Sequence, residues 1–344
     1  MPDLSIDALV PFGWSDRVLT LYNSYDDSEC APARVTRVER SGCFAVGADG
    51  EERLLRAEAL PAVGDWLAFA GGAVRHVLPR WSALQRADPD GGGTQTLAAN
   101  VDLVLVTTPA DRSSPGRVER ELTLAWDSGA VPLVVVTKAD LDGPAVADAL
   151  ASRLPGTDVL AVSAVTGAGV EELRAHLAPD RTAVLLGPSG AGKSTLANAL
   201  LGEDRLATGA VREGDRRGRH TTTSRQLVAV PGGGVLIDTP GLRTLGLTAD
   251  VEIGMGFPDI EALAQRCRFA DCAHESEPGC AVEDAIATGE LDPRRLESFR
   301  KLAREVAWER RRHDPVAAAA ERQVWRARSR EYRARDRARG KGRR

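Results

Sequence analysis

Gly187-Pro188-Ser189-Gly190-Ala191-Gly192-Lys193-Ser194 fits the pattern G-x-x-x-x-G-K-[ST], between an apolar run, Ala183–Leu186, and a helical stretch, Ser194–Leu201. Glycines at this spacing let successive backbone N–H groups face phosphate oxygens, and the positive end of the following helix adds to that pull. Lys193 suits the β- and γ-phosphates and the Ser194 hydroxyl suits Mg²⁺, while Thr195 falls in the same first turn and joins the nucleotide-binding set. A chance glycine-rich turn would lack the flanking strand and helix. Downstream, Val235-Leu236-Ile237 runs into Asp238-Thr239-Pro240-Gly241. A carboxylate at the end of an apolar strand can hold Mg²⁺, and the Gly241 N–H can sense a γ-phosphate. Between the two lies Arg219-His220-Thr221-Thr222-Thr223-Ser224, whose hydroxyls could close over the ion, with Thr222 as the candidate ligand. Three consecutive threonines would equally suit a plain strand.

A second group of residues could read a base. Leu133–Val136 leads into Thr137-Lys138-Ala139-Asp140, similar to the Asn-Lys-x-Asp element of GTPases. A carboxylate there accepts from guanine N1–H and N2–H₂, a pair that adenine cannot offer, so Asp140 disfavours an ATPase. Thr137 replaces the usual Asn and is expected to give up an amide that ties this element to other loops. Ser163-Ala164 follows the apolar run Val159–Val162, at the place of a Ser-Ala-Lys element, though Val165 stands third. Taken singly these are weak signals. Their order is informative: base reader, Ser-Ala, phosphate loop, threonine segment, Asp-x-x-Gly. Ordinary GTPases run through the same cycle from a different starting point, so a circularly permuted GTPase domain is expected.

Cys267, Cys272, His274 and Cys280 offer three thiolates and one imidazole within fourteen residues. Such a set suits one tetrahedral, structural Zn²⁺. The competing reading is a disulfide plus a free thiol, less suited to a chain expected in the cytoplasm.

These groups need scaffolds. With 344 residues and 43% hydrophobic content the chain predicts several domains with aliphatic cores, because aromatics make up only 4%. Neither a signal-peptide pattern nor an apolar run long enough for a bilayer is evident, so no membrane partner is expected. Short alternating stretches between Ala33 and Leu78, separated by Gly and Asp-Gly turns, predict a small β-barrel, either an RNA-binding one or a purely structural module. Pro89–Thr94 reads as a linker. Beyond it, apolar runs alternate with helical segments, as in an α/β domain with a mostly parallel sheet. The expected division is an N-terminal segment 1–32, a barrel 33–88, a GTPase domain 95–248, a helical zinc-binding domain 251–308 and a basic tail 309–344. The net charge of −4 hides an asymmetry: residues 301–344 carry 16 Lys/Arg against 6 Asp/Glu. A tail of this kind suits an anionic partner such as nucleic acid, or is simply a solvated helix.

Together the motifs resemble the RsgA (YjeQ) family of circularly permuted GTPases. The resemblance rests on Pro61-Ala62-Val63-Gly64-Asp65-Trp66, Ala98-Ala99-Asn100-Val101-Asp102, Gly190–Ser194, Gly218–Thr223, Asp238–Gly241, Cys267-Arg268-Phe269 with Cys272 and His274, and Glu277-Pro278-Gly279-Cys280. It spans roughly residues 33–305 and omits the N-terminal thirty residues and the Arg-rich tail. It implies an all-β OB-fold barrel, an α/β circularly permuted P-loop GTPase domain and an α-helical zinc-binding domain. It also implies GTP and GDP as ligands, and a monomer acting on the 30S ribosomal subunit and its 16S rRNA late in maturation; the alternative readings are a permuted GTPase acting on the large subunit or another RNA, and an RNA-binding protein whose GTPase domain only senses nucleotide. In many GTPases a Gln follows Asp-x-x-Gly and orients the attacking water; here Leu242 follows, which cannot. Slow intrinsic hydrolysis is therefore expected, with His220 as candidate for the catalytic group beside Lys193; a histidine that packs or contacts rRNA is the other reading of His220.

Overall fold

The computed structural model describes residues 6–25, 29–39, 41–55, 61–87, 94–203, 225–238, 247–248, 250–275 and 277–313. His220, Thr222, Gly241 and Leu242 lie outside these described residues, as does the tail beyond His313.

Five strands, β1 (Ala31–Glu39), β2 (Gly42–Gly47), β3 (Gly50–Leu55), β4 (Trp66–Ala70) and β5 (Ala73–Val77), close into a barrel in the order β1-β2-β3-β5-β4. β3 and β5 pair in parallel while the other pairs are antiparallel, the arrangement of an OB-like barrel. Alternation along β1 sends Ala33 and Val35 into an interior shared with Cys43, Ala45, Leu54, Leu67 and Val74. No period is legible in the first thirty residues, yet they hold α1 (Asp16–Asn23), whose Val18 and Tyr22 pack with Trp14 onto the outer face of Trp66. The Trp14 and Trp66 rings meet edge to face at 5.3 Å.

A two-stranded ribbon, β6 (Ala83–Ala87) and β7 (Thr94–Ala99), leads into the α/β domain. There the chain runs β8 (Leu103–Pro109), α2 (Pro115–Asp127), β9 (Val131–Thr137), α3 (Gly143–Arg153), β10 (Val159–Val162), α4 (Val170–His176), β11 (Thr182–Leu186), α5 (Lys193–Leu201), β12 (Gln226–Ala229) and β13 (Val235–Asp238). Strand order in the sheet is β10-β9-β8-β11-β13-β12, parallel except for β12. The permutation is visible in this order. β8, first in the chain, lies beside β11, which carries the phosphate loop. After edge strand β10, helix α4 passes through residues 177–181 directly into central β11. In an unrotated chain those would be the two ends, and neighbouring ends make such rotation tolerable.

The outward face of β1 meets this domain. Arg34 is only 1% exposed; its Nη2 donates to Thr182 Oγ1 at 2.7 Å, at the start of β11, and its guanidinium lies 5.0 Å from the Trp66 ring. Burial pulls Arg34 down to about 10, opposed by Asp102 and Asp65. Asp102 in turn accepts from the Thr182 N–H at 2.9 Å and Trp81 Nε1 at 3.1 Å. Gly64 adopts φ +91, and a Cβ there would sit 2.3 Å from the Ala99 carbonyl. Asn100 Nδ2 donates back to the Gly64 carbonyl at 3.1 Å. The Pro61–Trp66 and Ala98–Asp102 segments are thus the joint between barrel and sheet.

The C-terminal part is helical: α6 (Pro258–Ala264), α7 (Ala281–Thr288) and α8 (Pro293–His313), with the Cys/His loop between α6 and α7. Its core, including Phe257, Ile260, Val282 and Leu302, is continuous with Val118 and Leu122 of α2. Arg295, 3% exposed, bridges the two parts: Nη2 donates to Asp259 Oδ1 at 2.8 Å and Nη1 to Glu119 Oε1 at 3.3 Å. Glu119 also accepts from Arg153 Nε at 2.8 Å. A buried carboxylate is tolerated there because two guanidiniums share it.

Candidate guanine-nucleotide site and metal centre

The C-terminal ends of β8, β9, β10, β11 and β13 gather the sequence motifs on one edge of the sheet, where open α/β sheets bind ligands. Gly187 leaves β11 at φ +150, and a Cβ there would lie 2.1 Å from Thr107 Oγ1 of β8. Thr107 has no space to yield, since its hydroxyl donates to the Leu186 carbonyl at 2.9 Å. The loop then turns through Pro188, Ser189, Gly190 (φ 76), Ala191 and Gly192 (φ 80) into α5, so Ser194 and Thr195 fall in the helix's first turn. Lys193 Nζ donates to the carbonyls of Gly187 and Pro188, both at 2.7 Å, which folds the ammonium over its own loop. On α2, burial pushes the Glu121 carboxyl up to about 7, opposed by Arg117, Lys193 and Arg120.

Thr137 corrects one expectation. Its hydroxyl donates to the Ala191 carbonyl at 2.6 Å, so the base-reading element is tied to the phosphate loop despite the missing amide. Lys138, at φ 54, turns the chain and sends Nζ to Asp111, 3.2 Å from Oδ2. The Ala139 N–H bonds the Val162 carbonyl, locking the element to β10. Asp140 is exposed, and its Oδ1 accepts from Ser163 Oγ at 2.6 Å. Ser163 is 1% exposed, so this hydroxyl orients the carboxylate while Ala164 continues the loop beside it. Asp238 ends β13, one strand from the phosphate loop. Ser194 and Asp238 are hard oxygen donors, the chemistry Mg²⁺ selects.

Sequence reading missed Thr107, Asp111 and Arg34. Only the polar end of β8, Thr107-Thr108 after an apolar run, marks the first in the sequence.

In the C-terminal helical part, Cys267, Cys272, His274 and Cys280 turn their ligand atoms to within 4.8 Å of one another. Cys267 Sγ lies 4.0 Å from Cys280 Sγ, and His274 Nδ1 lies 3.6 and 3.5 Å from those sulfurs. A tetrahedron with ordinary Zn–S bonds has S···S edges of about 3.8 Å; a disulfide would need about 2.05 Å. All five cysteines are free thiols, which removes the disulfide reading. The loop is shaped for the purpose: His274 takes φ 58, and Glu277 accepts from the N–H groups of Ala273 and Glu275 at 2.9 and 2.8 Å. The four residues could hold one metal ion, and soft thiolates with an imidazole suit zinc.

A rotated G-domain sheet, a phosphate loop and a base-reading turn together define a circularly permuted P-loop GTPase. The model of the RsgA GTPase family matches residues 77–248. Proteins called small ribosomal subunit biogenesis GTPase RsgA are similar over most of the chain. That of Streptomyces avermitilis is 49% identical, covering 86% of this chain and 85% of its own. That of Opitutus terrae is 43% identical, covering 97% and 99%. Among solved structures, YjeQ from Thermotoga maritima superposes with a TM-score of 0.62 at 26% identity, over 81% of this chain and 99% of that one. YloQ, a circularly permuted GTPase, shares the fold with a TM-score of 0.60 at 22% identity, over 82% and 97%. The chain belongs to the RsgA GTPase family and is a GTP hydrolase. Among the described residues no helix is long and apolar enough to cross a membrane.

Proposed function

We propose that this GTPase acts in late maturation of the 30S ribosomal subunit, turning over slowly alone and faster on its RNA-rich partner. Relatives 49% identical to it over most of its length are called small ribosomal subunit biogenesis GTPases. The observation that carries the nucleotide part of the reading is the Thr137–Ala191 bond of 2.6 Å, which ties the turn that bears Asp140 to the phosphate loop.

In this site Asp140, positioned by Ser163, accepts from guanine N1–H and N2–H₂, and Lys138 lies along the base. Ala139 and Ala164 shape the base pocket. Backbone N–H groups of Gly187 and of Ser189 to Ser194 receive the phosphates, Pro188 having none to offer but shaping the turn, with Thr195 beside Ser194 in the first turn of α5, and Lys193 neutralises charge at the β/γ bridge. Ser194, Thr222 and Asp238 are the proposed Mg²⁺ ligands; the ion, when bound, offsets charge on the phosphates. Gly241 senses the γ-phosphate. With Leu242 unable to orient water, His220 takes that role when the partner is bound. Cys267, Cys272, His274 and Cys280 hold one structural Zn²⁺. The domain limits proposed are 33–88 for the barrel, 95–248 for the GTPase domain and 251–308 for the zinc domain. Barrel and basic tail meet 16S rRNA, and the protein works as a cytoplasmic monomer cycling between GTP and GDP.

The His220→Ala variant is expected to keep its GTP affinity and lose stimulation by purified 30S subunits. Stimulated turnover that survives in this variant assigns the water to another group. Co-sedimentation with separated subunits distinguishes this reading from a GTPase of the large subunit: the 30S fraction should retain the protein and the 50S fraction should not.

A further inference from the structure

Arg112 stands beside the phosphate loop without belonging to any of the motifs. Strand β8 ends at Pro109, next to β11, and the turn Ala110–Arg112 follows at the same edge of the sheet. Arg112 Nη2 lies 3.5 Å from the position a Cβ on Gly190 would take. Its side chain is 67% exposed, and its nearest carboxylate is its own neighbour Asp111, at 3.7 Å. Asp111 is nearer to Lys138 Nζ, at 3.2 Å. One carboxylate therefore holds two cations, Lys138 on the base side and Arg112 over the loop. An exposed ion pair of this length contributes little to stability, so folding does not account for the placement. A guanidinium offers paired N–H donors in the geometry of phosphate oxygens.

We propose that Arg112 is a further nucleotide-binding residue, its guanidinium contacting the α- and β-phosphates of GTP and GDP. Its neighbours set which phosphates. Arg112 shares Asp111 with Lys138 of the base-reading turn on one side and lies against Gly190 of the phosphate loop on the other, and that loop cradles the α- and β-phosphates while its lysine reaches the β/γ end. Asp111 is the positioning residue, pairing with Lys138 on the base side and with Arg112 over the loop. The inference rests on the nucleotide site proposed above.

The test is the affinity of the full chain, as wild type, Arg112→Ala and Arg112→Lys, for guanosine, GDP and GTP, with no hydrolysis readout. In Arg112→Ala, GDP and GTP should weaken together by about tenfold while guanosine is unaffected, and Arg112→Lys should recover part of the loss. Unchanged GDP affinity overturns the proposal, as does a loss confined to GTP, which would place the guanidinium at the γ-phosphate. An equal loss for guanosine also overturns it, since that indicates a deformed site. Asp140→Asn is measured in parallel. If it leaves guanine preference intact, the underlying site is wrong and the Arg112 proposal falls with it; if it removes that preference while Arg112→Ala changes nothing, only the Arg112 proposal fails.

Discussion

Asp140→Asn is expected to lower affinity for GDP and GTP by on the order of a hundredfold or more, because guanine's two donors then face one acceptor and one donor. The same change should raise affinity for xanthine nucleotides, whose C2 carbonyl can accept from the new amide. Titration of both nucleotide series against the wild type and the variant reads the two effects together. Ser163→Ala should give a weaker version of the first effect only. Its hydroxyl contacts Asp140 Oδ1 at 2.6 Å and is 1% exposed, so its removal lets the carboxylate rotate without altering what it can accept. Undiminished guanine preference in Asp140→Asn would mean that the base is read elsewhere.

Loss of the metal is expected to be the more damaging change for the fold. Structural zinc sites of this donor type bind with about 10–16 kcal/mol, and that free energy is folding free energy. The protein should carry one zinc per chain, and Cys280→Ser should lose it. Cys280 is 2% exposed and occupies the N-cap position immediately before α7, so its loss frees the loop and the helix together. Because the core of this region is continuous with α2 through Val118 and Leu122, the variant should expose apolar surface and aggregate on heating well below the wild type. Metal analysis with thermal melting checks both statements. A metal-free variant that melts like the wild type would show that the four residues are not a folding element.

Much of the site was legible because its parts are local. The phosphate loop, the Asp140 turn and the metal cluster each fit in a short window, and strands β8 to β11 are apolar runs of ordinary length. What spacing could not show is how distant segments meet. Arg34 sits in a strand whose alternation, Ala33-Arg34-Val35, correctly points it away from the barrel interior. Only the fold reveals that outside the barrel is not outside the molecule, since Thr182 waits there 148 residues later. Arg295 is similar: it lies in a strongly charged helix, yet it is buried against Glu119 and Asp259. Thr137 misled in the opposite direction, because its hydroxyl supplies the tie for which an amide seemed necessary. The short helix α1 was missed because eight residues carry little periodic signal, and Trp14 and Tyr22 anchor it by tertiary packing.

These long-range contacts give the rotation a physical consequence. Helix α2 follows β8, which is bonded to β11, and the same helix carries Glu119 and Arg120 to the C-terminal helices. A change at the phosphate loop thus has a packed route to the region of the Cys/His cluster, in addition to the chain connection after Asp238. Such a route is useful only if nucleotide state and RNA partner influence each other, and by linkage the influence is mutual.

GTP turnover by the wild-type protein, measured with and without purified 30S subunits at one salt concentration, tests that claim most directly. A slow rate alone and a much faster one with 30S subunits, but not with 50S subunits, is the predicted result; a rate that 30S subunits leave unchanged would contradict it.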